Sequence, residues 1–373
     1  MLKLMGSNVI NNLKNIPGWR TKKKIVTIEC DDWGSIRMPS KKVYNILSAK
    51  GLKVDGWFNR YDTLETKEDL EQLFDTLSMV RDKNNKPAII TAVSNMANPD
   101  FDKIRSSGFS EYHYEPFTET LKRYYPETDV FKLWREGIKN GVFLPELHGR
   151  EHITVQIWME KLREGNRDLR LAFDYGYVFL ALPYMTGPAK EFGTEFFFTS
   201  DNHKPFLVNS ITEGVVMFRE IFGLLPRVFV PGNCLFHPEF DRVIAERGIK
   251  FMFVSPSMKY PVNGGGLKHR YFIPGQKGPG GLTYYTRNCS FEPANDSYKG
   301  IEPTLKQVDA AFRWGKPAMI STHRVNFAGG IDPGNRNRGL TELKKLLKAI
   351  VQKWPEAEFM NSGDALTFMR DSN

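Results

Sequence analysis

Two histidines, at positions 148 and 152, have the spacing of a metal-binding pair. In the run His148-Gly-Arg-Glu-His152 they are four residues apart, so on a helical turn both imidazoles project from the same face. Neutral imidazole is a good ligand for zinc and related divalent ions, and two such rings can reach one ion. The pair predicts part of a metal site, and the alternative is a surface or capping pair.

Two adjacent aspartates, Asp31 and Asp32, could supply the negative charge that the two histidines lack. They follow the apolar run 25–30. Side-by-side carboxylates raise the pKa of one of the pair unless a cation neutralises them. One aspartate with both histidines would complete an open catalytic metal site, and the other would be free to act as a general base. The alternative is a turn and a helix N-cap.

A third histidine, His323, ends the apolar run 318–322. At the end of a buried strand it is placed to donate a proton to a leaving group across a pocket. The alternative is a core histidine whose hydrogen bonds are satisfied.

Further residues beside the predicted strand ends are candidates for substrate binding. Trp33 adjoins the aspartates and is expected to line the pocket as an aromatic platform. Arg287 or Arg324 could pair with an acidic group of a substrate. The substrate-binding set is Trp33, Asn95, Arg150, Pro231, Asn233, Arg287 and Asn326, several of which could instead be caps or partners that orient the ligands.

Strand-like and helix-like stretches alternate along the chain, which predicts an α/β fold, either a barrel or an open sheet. Parallel strands place all their carboxyl ends on one face, so the polar residues after them should converge. Long insertions at 98–140 and 256–300 are expected to build the substrate face. Predicted strands cover 25–30, 88–93, 141–147, 227–230, 251–254, 318–322 and 358–361, and predicted helices cover 67–80, 153–163, 211–222, 239–247 and 340–353.

Composition narrows the class of protein. The 373 residues are 41% hydrophobic, enough to bury a sizeable core. The expected division is an N-terminal extension, 1–24, followed by one domain, 25–373. The net charge of +9 is scattered rather than focused, which argues against nucleic-acid binding. Neither a membrane span nor a signal peptide is visible, and three widely spaced cysteines fit a reducing compartment, so a cytoplasmic protein is expected. No oligomeric state follows from the sequence.

The order of these motifs resembles that of the polysaccharide deacetylases, the fourth family of carbohydrate esterases. That family's first motif reads Thr-Phe-Asp-Asp-Gly, and Ile-Glu-Cys-Asp-Asp-Trp-Gly at 28–34 is similar. Its second motif, His-(Ser/Thr)-x-x-His, is matched by His148 and His152, with Gly149 at the hydroxyl position. Its last motif, Leu-x-His, is similar to Ser-Thr-His at 321–323.

The resemblance implies a distorted (β/α)7 barrel in which Asp31 is the base, His323 is the acid, and Asp32, His148 and His152 hold the metal. Where the family has Arg-Pro-Pro-Tyr-Gly, this chain has Phe-Val-Pro-Gly-Asn at 229–233, so the groove and the oxyanion donor are expected to differ. The family's Asp-containing motif has no clear counterpart, although Arg287 could orient the acid or the base.

The function predicted from these residues is metal-dependent removal of an acetyl group from an N-acetylated, or alternatively O-acetylated, sugar or polysaccharide. A divalent ion, with zinc expected, would bind the substrate carbonyl and lower the pKa of a bound water. A backbone donor near Asn233 would stabilise the oxyanion. The alternatives are a metal-independent glycoside hydrolase on a similar barrel, which would use two carboxylates, and a carbohydrate-binding protein without catalysis.

Overall fold

The structure is a computed structural model that describes residues 9–372. Its strands are β1 (Ile25–Trp33), β2 (Ile90–Asn95), β3 (Ala97–Pro99), β4 (Tyr114–Pro116), β5 (Phe143–Gly149), β6 (Val228–Phe229), β7 (Phe251–Phe253), β8 (Ser257–Val262), β9 (Gly266–Tyr271), β10 (Thr283–Tyr285), β11 (Cys289–Ser290), β12 (Ala318–His323) and β13 (Glu358–Phe359). Its α-helices are α1 (Lys41–Ala49), α2 (Trp57–Tyr61), α3 (Lys67–Ser78), α4 (Phe101–Ser106), α5 (Phe117–Tyr124), α6 (Val130–Lys139), α7 (Val155–Arg163), α8 (Arg167–Asp174), α9 (Lys204–Phe222), α10 (Phe240–Glu246), α11 (Glu302–Arg313), α12 (Pro333–Lys353) and α13 (Ser362–Asp371).

Nine parallel strands form the central sheet, in the order β10-β7-β6-β5-β2-β1-β12-β11, with β13 paired to β1 beside this path. The two outermost strands, β10 and β11, are joined by only three residues, 286–288. The opposite edges of the sheet therefore meet, and the sheet curls into a distorted (β/α) barrel flanked by helices. This confirms the fold class predicted from the sequence.

All seven predicted strands are present, as β1, β2, β5, β6, β7, β12 and β13. They were recognisable because strands buried on both faces need unbroken apolar or β-branched runs; all six residues of β2 are buried, for example. The short strands β10 and β11 were not predicted. They lie inside the stretch 256–300 that the sequence indicated as an insertion, so part of that stretch belongs to the barrel.

Local signals fix where the helices begin. At the start of α3 the Thr66 hydroxyl accepts a hydrogen bond from the Asp69 N–H, and the Asp69 carboxylate accepts one from the Thr66 N–H, which makes a capping box. Asp69 also accepts a hydrogen bond from the Gly329 N–H at 2.9 Å. This contact ties α3 to the loop that follows β12 and so supports the carboxyl-end face of the barrel.

The described part of the predicted N-terminal extension packs on the barrel. The Lys316 ammonium donates hydrogen bonds to the carbonyls of Pro17 and Gly18, at 2.7 and 2.6 Å. The Asn288 amide donates to the Asn15 side chain at 2.8 Å. The boundary at residue 24 between the extension and the following domain stays a prediction. Residues 1–8 of the extension lie outside the described part of the chain. Between residues 9 and 372, no helix is both long enough and apolar enough to cross a bilayer.

Candidate metal centre

A bulge in β1 turns two neighbouring aspartates toward one cavity. In a regular strand successive side chains point to opposite faces, but the pairing of β1 with β2 shifts between Cys30 and Trp33. Asp32 there has a left-handed φ of 76°, a conformation that aspartate tolerates better than most residues. As a result Asp31 and Asp32 both line the cavity.

Asp32, His148 and His152 form one candidate ligand set. The Asp32 Oδ1 atom lies 3.4 Å from His148 Nε2 and 3.7 Å from His152 Nε2. One ligand atom from each of the three residues lies within 4.8 Å of the others. Among residues 9–372 this is the one cluster of three such ligand residues that could hold a metal ion. Ligands at zinc-like distances of about 2.0–2.2 Å in a tetrahedron are roughly 3.3–3.6 Å apart. The two separations between Asp32 and the histidines are close to this range, so the residues suit a divalent ion with two nitrogen donors and one oxygen donor.

Contacts of the second ring nitrogens orient the two histidines. His148 Nδ1 donates to the Val230 carbonyl at 2.5 Å, so its Nε2 is the atom presented to Asp32. His152 Nδ1 faces a carboxylate oxygen of Glu195 at 3.7 Å, and the other oxygen of Glu195 accepts a hydrogen bond from the Gly232 N–H at 3.0 Å. Such partners commonly fix the orientation of metal-binding imidazoles.

The electrostatics of the set suit a cation. Burial would raise the pKa of the Asp32 carboxyl, but the neighbouring His148 and His152 hold it well below its usual range. Burial would lower the pKa of His148, but its contact with Asp32 and the nearby carboxylates raise it to about 9. Binding of an ion would therefore displace a proton from His148 at neutral pH.

The expected helical turn between the histidines is wrong. His148 lies on strand β5, and His152 lies in the loop before α7. The two rings still meet, with centroids 4.8 Å apart, because the chain turns sharply after β5. The four-residue spacing identified the right residues, although the backbone between them is not helical.

Asp31 is held by an arginine from the other end of the chain. Both Asp31 carboxylate oxygens accept hydrogen bonds from the Arg287 guanidinium, at 2.6 and 2.8 Å, and Arg287 Nε donates to buried Glu29. Burial would raise the pKa of Asp31, but Arg287 lowers it below its usual value. Asp31 is therefore an ionised carboxylate at neutral pH, which is the state required of a base.

His323 faces Asp31 from the neighbouring strand, with Nε2 4.0 Å from the Asp31 carboxylate. Its Nδ1 contacts the Glu292 carboxylate at 2.7 Å, and the other oxygen of Glu292 accepts a hydrogen bond from the Asn326 amide at 2.6 Å. Burial would lower the pKa of His323, but Glu292 and the more distant aspartates raise it to about 10. His323 is therefore protonated at neutral pH, which is the state required of an acid.

These groups open into a cavity of about 920 Å³. Of the predicted substrate-binding residues, Pro231, Asn233 and Arg287 line it. The hairpin of β8 and β9 also contributes to the lining. So does a segment that was not predicted, which supplies Gly187, Pro188, Lys190, Glu191, Gly193 and Thr194. The insertion 98–140, which was expected to build this face, contributes no lining residue among the described part of the chain.

Four predicted substrate-binding residues lie elsewhere. Trp33 is 1% exposed and packs edge-on against Trp134 and Phe143 in the core, so the expectation that it lines the pocket is wrong. Arg150 is buried and forms ion pairs with Glu151 and Glu213. These carboxylates neutralise its charge, so it is not available to bind a substrate.

The other two are buried as well. Asn95 is fully buried in β2, outside the cavity lining. Asn326 is also buried, and its amide is bound to Glu292, Thr322 and the His323 carbonyl. Asn326 is therefore a partner that orients the His323 assembly, which was the alternative role considered for it.

Sequence reasoning missed Glu195, Glu292 and Arg37 as parts of the site; Arg37 lines the cavity. Glu292, which contacts His323, and Arg287, which was predicted to orient the acid or the base and contacts Asp31, flank the short strand β11. A search for charged residues around that strand could therefore have found Glu292. Glu195 lies in a loop without regular structure, and no pattern in the sequence marks it.

Comparison with known proteins gives only distant similarity. No protein-family model and no curated protein sequence matches the chain. Similar solved structures include a 4-alpha-glucanotransferase from Thermococcus litoralis, at 12% identity and a TM-score of 0.47 over 92% of this chain and 40% of that one. They also include a probable polysaccharide deacetylase from Pseudomonas aeruginosa PAO1, at 10% identity and a TM-score of 0.46 over 94% and 93% of the two chains. A peptidoglycan deacetylase from Bacillus subtilis matches at 8% identity and a TM-score of 0.39 over 94% and 93%.

Proposed function

We propose that this protein is a metal-dependent deacetylase that hydrolyses the acetyl group of an N-acetylated, or alternatively O-acetylated, sugar. One observation carries the proposal: an ionised carboxylate, a protonated imidazole and a His-His-Asp ligand set face the same cavity. Asp31 and His323 lie 4.0 Å apart, and Asp32 lies beside His148 and His152. Zinc is the proposed metal because a tetrahedral site with two imidazoles and one carboxylate is typical of catalytic zinc.

A divalent ion held by Asp32, His148 and His152 would polarise the acetyl carbonyl and lower the pKa of water bound beside it. Asp31 accepts the proton of the attacking water, and Arg287 keeps Asp31 ionised and oriented. His323 donates a proton to the departing amine or alkoxide, and Glu292 keeps that imidazole protonated. Pro231, Asn233 and Cys234 line the cavity, and we assign the oxyanion donor to a backbone N–H near Asn233.

The charge states favour deacetylation over glycoside hydrolysis. A glycosidase needs one protonated carboxylic acid besides a carboxylate. The acidic residues that line the cavity, within residues 9–372, are Asp31, Asp32 and Glu191. The pKa values of both aspartates are lowered by their cationic neighbours against the effect of burial. Glu191 has a half-exposed side chain. Burial raises the pKa of Glu195 to about 8, but Glu195 faces His152 and is not among the lining residues, so it is not placed to protonate a glycosidic oxygen.

The test is acetate release from a panel of N- and O-acetylated sugars, measured with and without a chelator, together with elemental analysis of the purified protein. We expect about one divalent ion per chain, acetate release that the chelator abolishes, and recovery when zinc is restored. Hydrolysis of glycosidic bonds that is insensitive to the chelator would instead establish the glycoside hydrolase. Sugar binding without any turnover by the metal-loaded protein would establish the non-catalytic alternative.

The acid assignment predicts a specific pH dependence. Because the pKa of His323 is raised to about 10, kcat/KM should fall only as the pH rises through about 10, where the imidazole loses its proton. Glu292→Gln removes the partner carboxylate, so burial would dominate and the alkaline limb should move down to around pH 7 or below.

The measurement is kcat/KM across pH 6–11 for the wild type and for Glu292→Gln. Glu127→Gln removes an exposed carboxylate and is the matched control, with an unchanged alkaline limb. An alkaline limb that stays at the same pH in Glu292→Gln would rule out His323 as the acid.

A further inference from the structure

Cationic side chains surround the cavity beyond the groups that perform the proposed reaction. Arg37, Lys190 and Lys259 line it, and Glu191 is the one acidic lining residue, among those described, besides Asp31 and Asp32. Lys190 and Lys259 are exposed. Because this part of the lining has three cationic side chains and one acidic side chain, it attracts anions.

Arg37 is held in a fixed orientation. Its Nε donates to the Asn59 side chain at 2.9 Å. Its guanidinium lies over the rings of Phe58 and Phe179, with centroids at 4.9 and 4.5 Å. Such stacking holds the planar group in place without neutralising its charge.

The terminal nitrogens of Arg37 remain available to a ligand. The nearest carboxylate among the described residues, that of Glu191, lies 3.8 Å from Nη2 and has a side chain that is 53% exposed. A contact of that length to an exposed group is weak. A guanidinium presents paired N–H groups that match the two oxygens of a carboxylate or a phosphate.

The other two candidate arginines are already bound. Arg324 is buried and pairs with Asp62 and Glu65, so the prediction that it could meet an acidic sugar is wrong. Arg287 binds both oxygens of Asp31. Only Arg37, of the arginines that line the described cavity, is free of a short ion pair.

Arg37 also lies close to the reacting groups. The Phe58 ring that stacks on Arg37 meets the His323 ring edge-on, with centroids 5.2 Å apart. Arg37 and the proposed acid therefore contact the same phenyl ring, which places the guanidinium near the reacting groups.

We infer that the cavity binds a substrate that carries an anionic group, a carboxylate or a phosphate, and that Arg37 holds this group with long-range support from Lys190 and Lys259. The inference rests on the proposed function, since it names the class of acetylated sugar that the same cavity accepts. Arg37 is a specificity-determining residue in this assignment, because it selects anionic over neutral sugars.

The test is binding to protein stripped of metal by a chelator, so that an anion cannot bind through the ion. The probes are glucuronate, glucose 6-phosphate and glucose, measured by calorimetry. We expect the wild type to bind at least one anionic probe roughly 10- to 100-fold more tightly than glucose, as hydrogen bonds to charged groups allow. The tighter anionic probe identifies the carboxylate or the phosphate as the recognised group. The preference should weaken at high salt.

Arg37→Met should remove this preference while binding of glucose stays the same. Arg163→Met removes an exposed arginine outside the cavity and is the matched control, with the preference retained. If Arg37→Met does not fold, Lys190→Met combined with Lys259→Met changes only exposed side chains and should lower the preference severalfold.

Equal binding of all three probes by the wild type would overturn the inference, and so would an anion preference that Arg37→Met retains or that requires bound metal. None of these outcomes depends on turnover. Failure of the deacetylase proposal would appear separately, as a lack of acetate release by the metal-loaded protein.

Discussion

His148→Ala is expected to lose the metal and the acetate-releasing activity together. The His148 ring is buried, and its Nε2 lies 3.4 Å from Asp32, so the substitution removes one of the three proposed ligands. Removing an outer partner of a ligand costs about 10- to 100-fold in affinity or activity. Loss of the ligand itself should exceed that.

The measurement is metal content after equilibration with zinc and removal of excess, together with kcat/KM for acetate release. His113→Ala is the matched control because it deletes an imidazole outside the cavity lining, and it should keep both metal and activity. Circular dichroism and the melting temperature show whether each variant folds. Full metal occupancy and full turnover in a folded His148→Ala variant would contradict the ligand assignment.

Asp31→Asn is expected to separate catalysis from metal binding. Asparagine has the shape of aspartate and cannot accept the proton of the attacking water, so kcat should fall by about 10²- to 10⁴-fold, which is the contribution typical of a general base. Asp32 and the two histidines are unchanged, so metal content should remain at the wild-type level.

The fold should survive this substitution because Arg287 keeps its ion pair with buried Glu29. Asp55→Asn, at an exposed loop position, is the matched control and should leave kcat unchanged. Loss of metal in Asp31→Asn would mean that Asp31 is a ligand rather than the base. Retention of full kcat would mean that another group accepts the proton.

The variants His148→Ala, Asp31→Asn and Glu292→Gln together separate the three proposed roles. A ligand loses metal and turnover, a base loses turnover alone, and a partner such as Glu292 changes the pH dependence. Because each role has its own measurement, no single failed assay can be mistaken for another.

The sequence by itself determined the architecture and the identity of the central residues. The seven strands could be predicted because buried parallel strands need apolar runs, which are visible in the sequence. Asp31, Asp32, His148 and His323 were identified because each lies at or near the carboxyl end of such a run, and parallel strands bring those ends together.

The tertiary structure alone decided the directions and the partners of the side chains. The bulge in β1 turns both Asp31 and Asp32 into the cavity and leaves Trp33 in the core. Arg287 reaches Asp31 from 256 positions away in the sequence. Charge neutralisation is a property of spatial neighbours, so only the fold shows that Arg150 and Arg324 are already paired and that Arg37 is left open to a ligand.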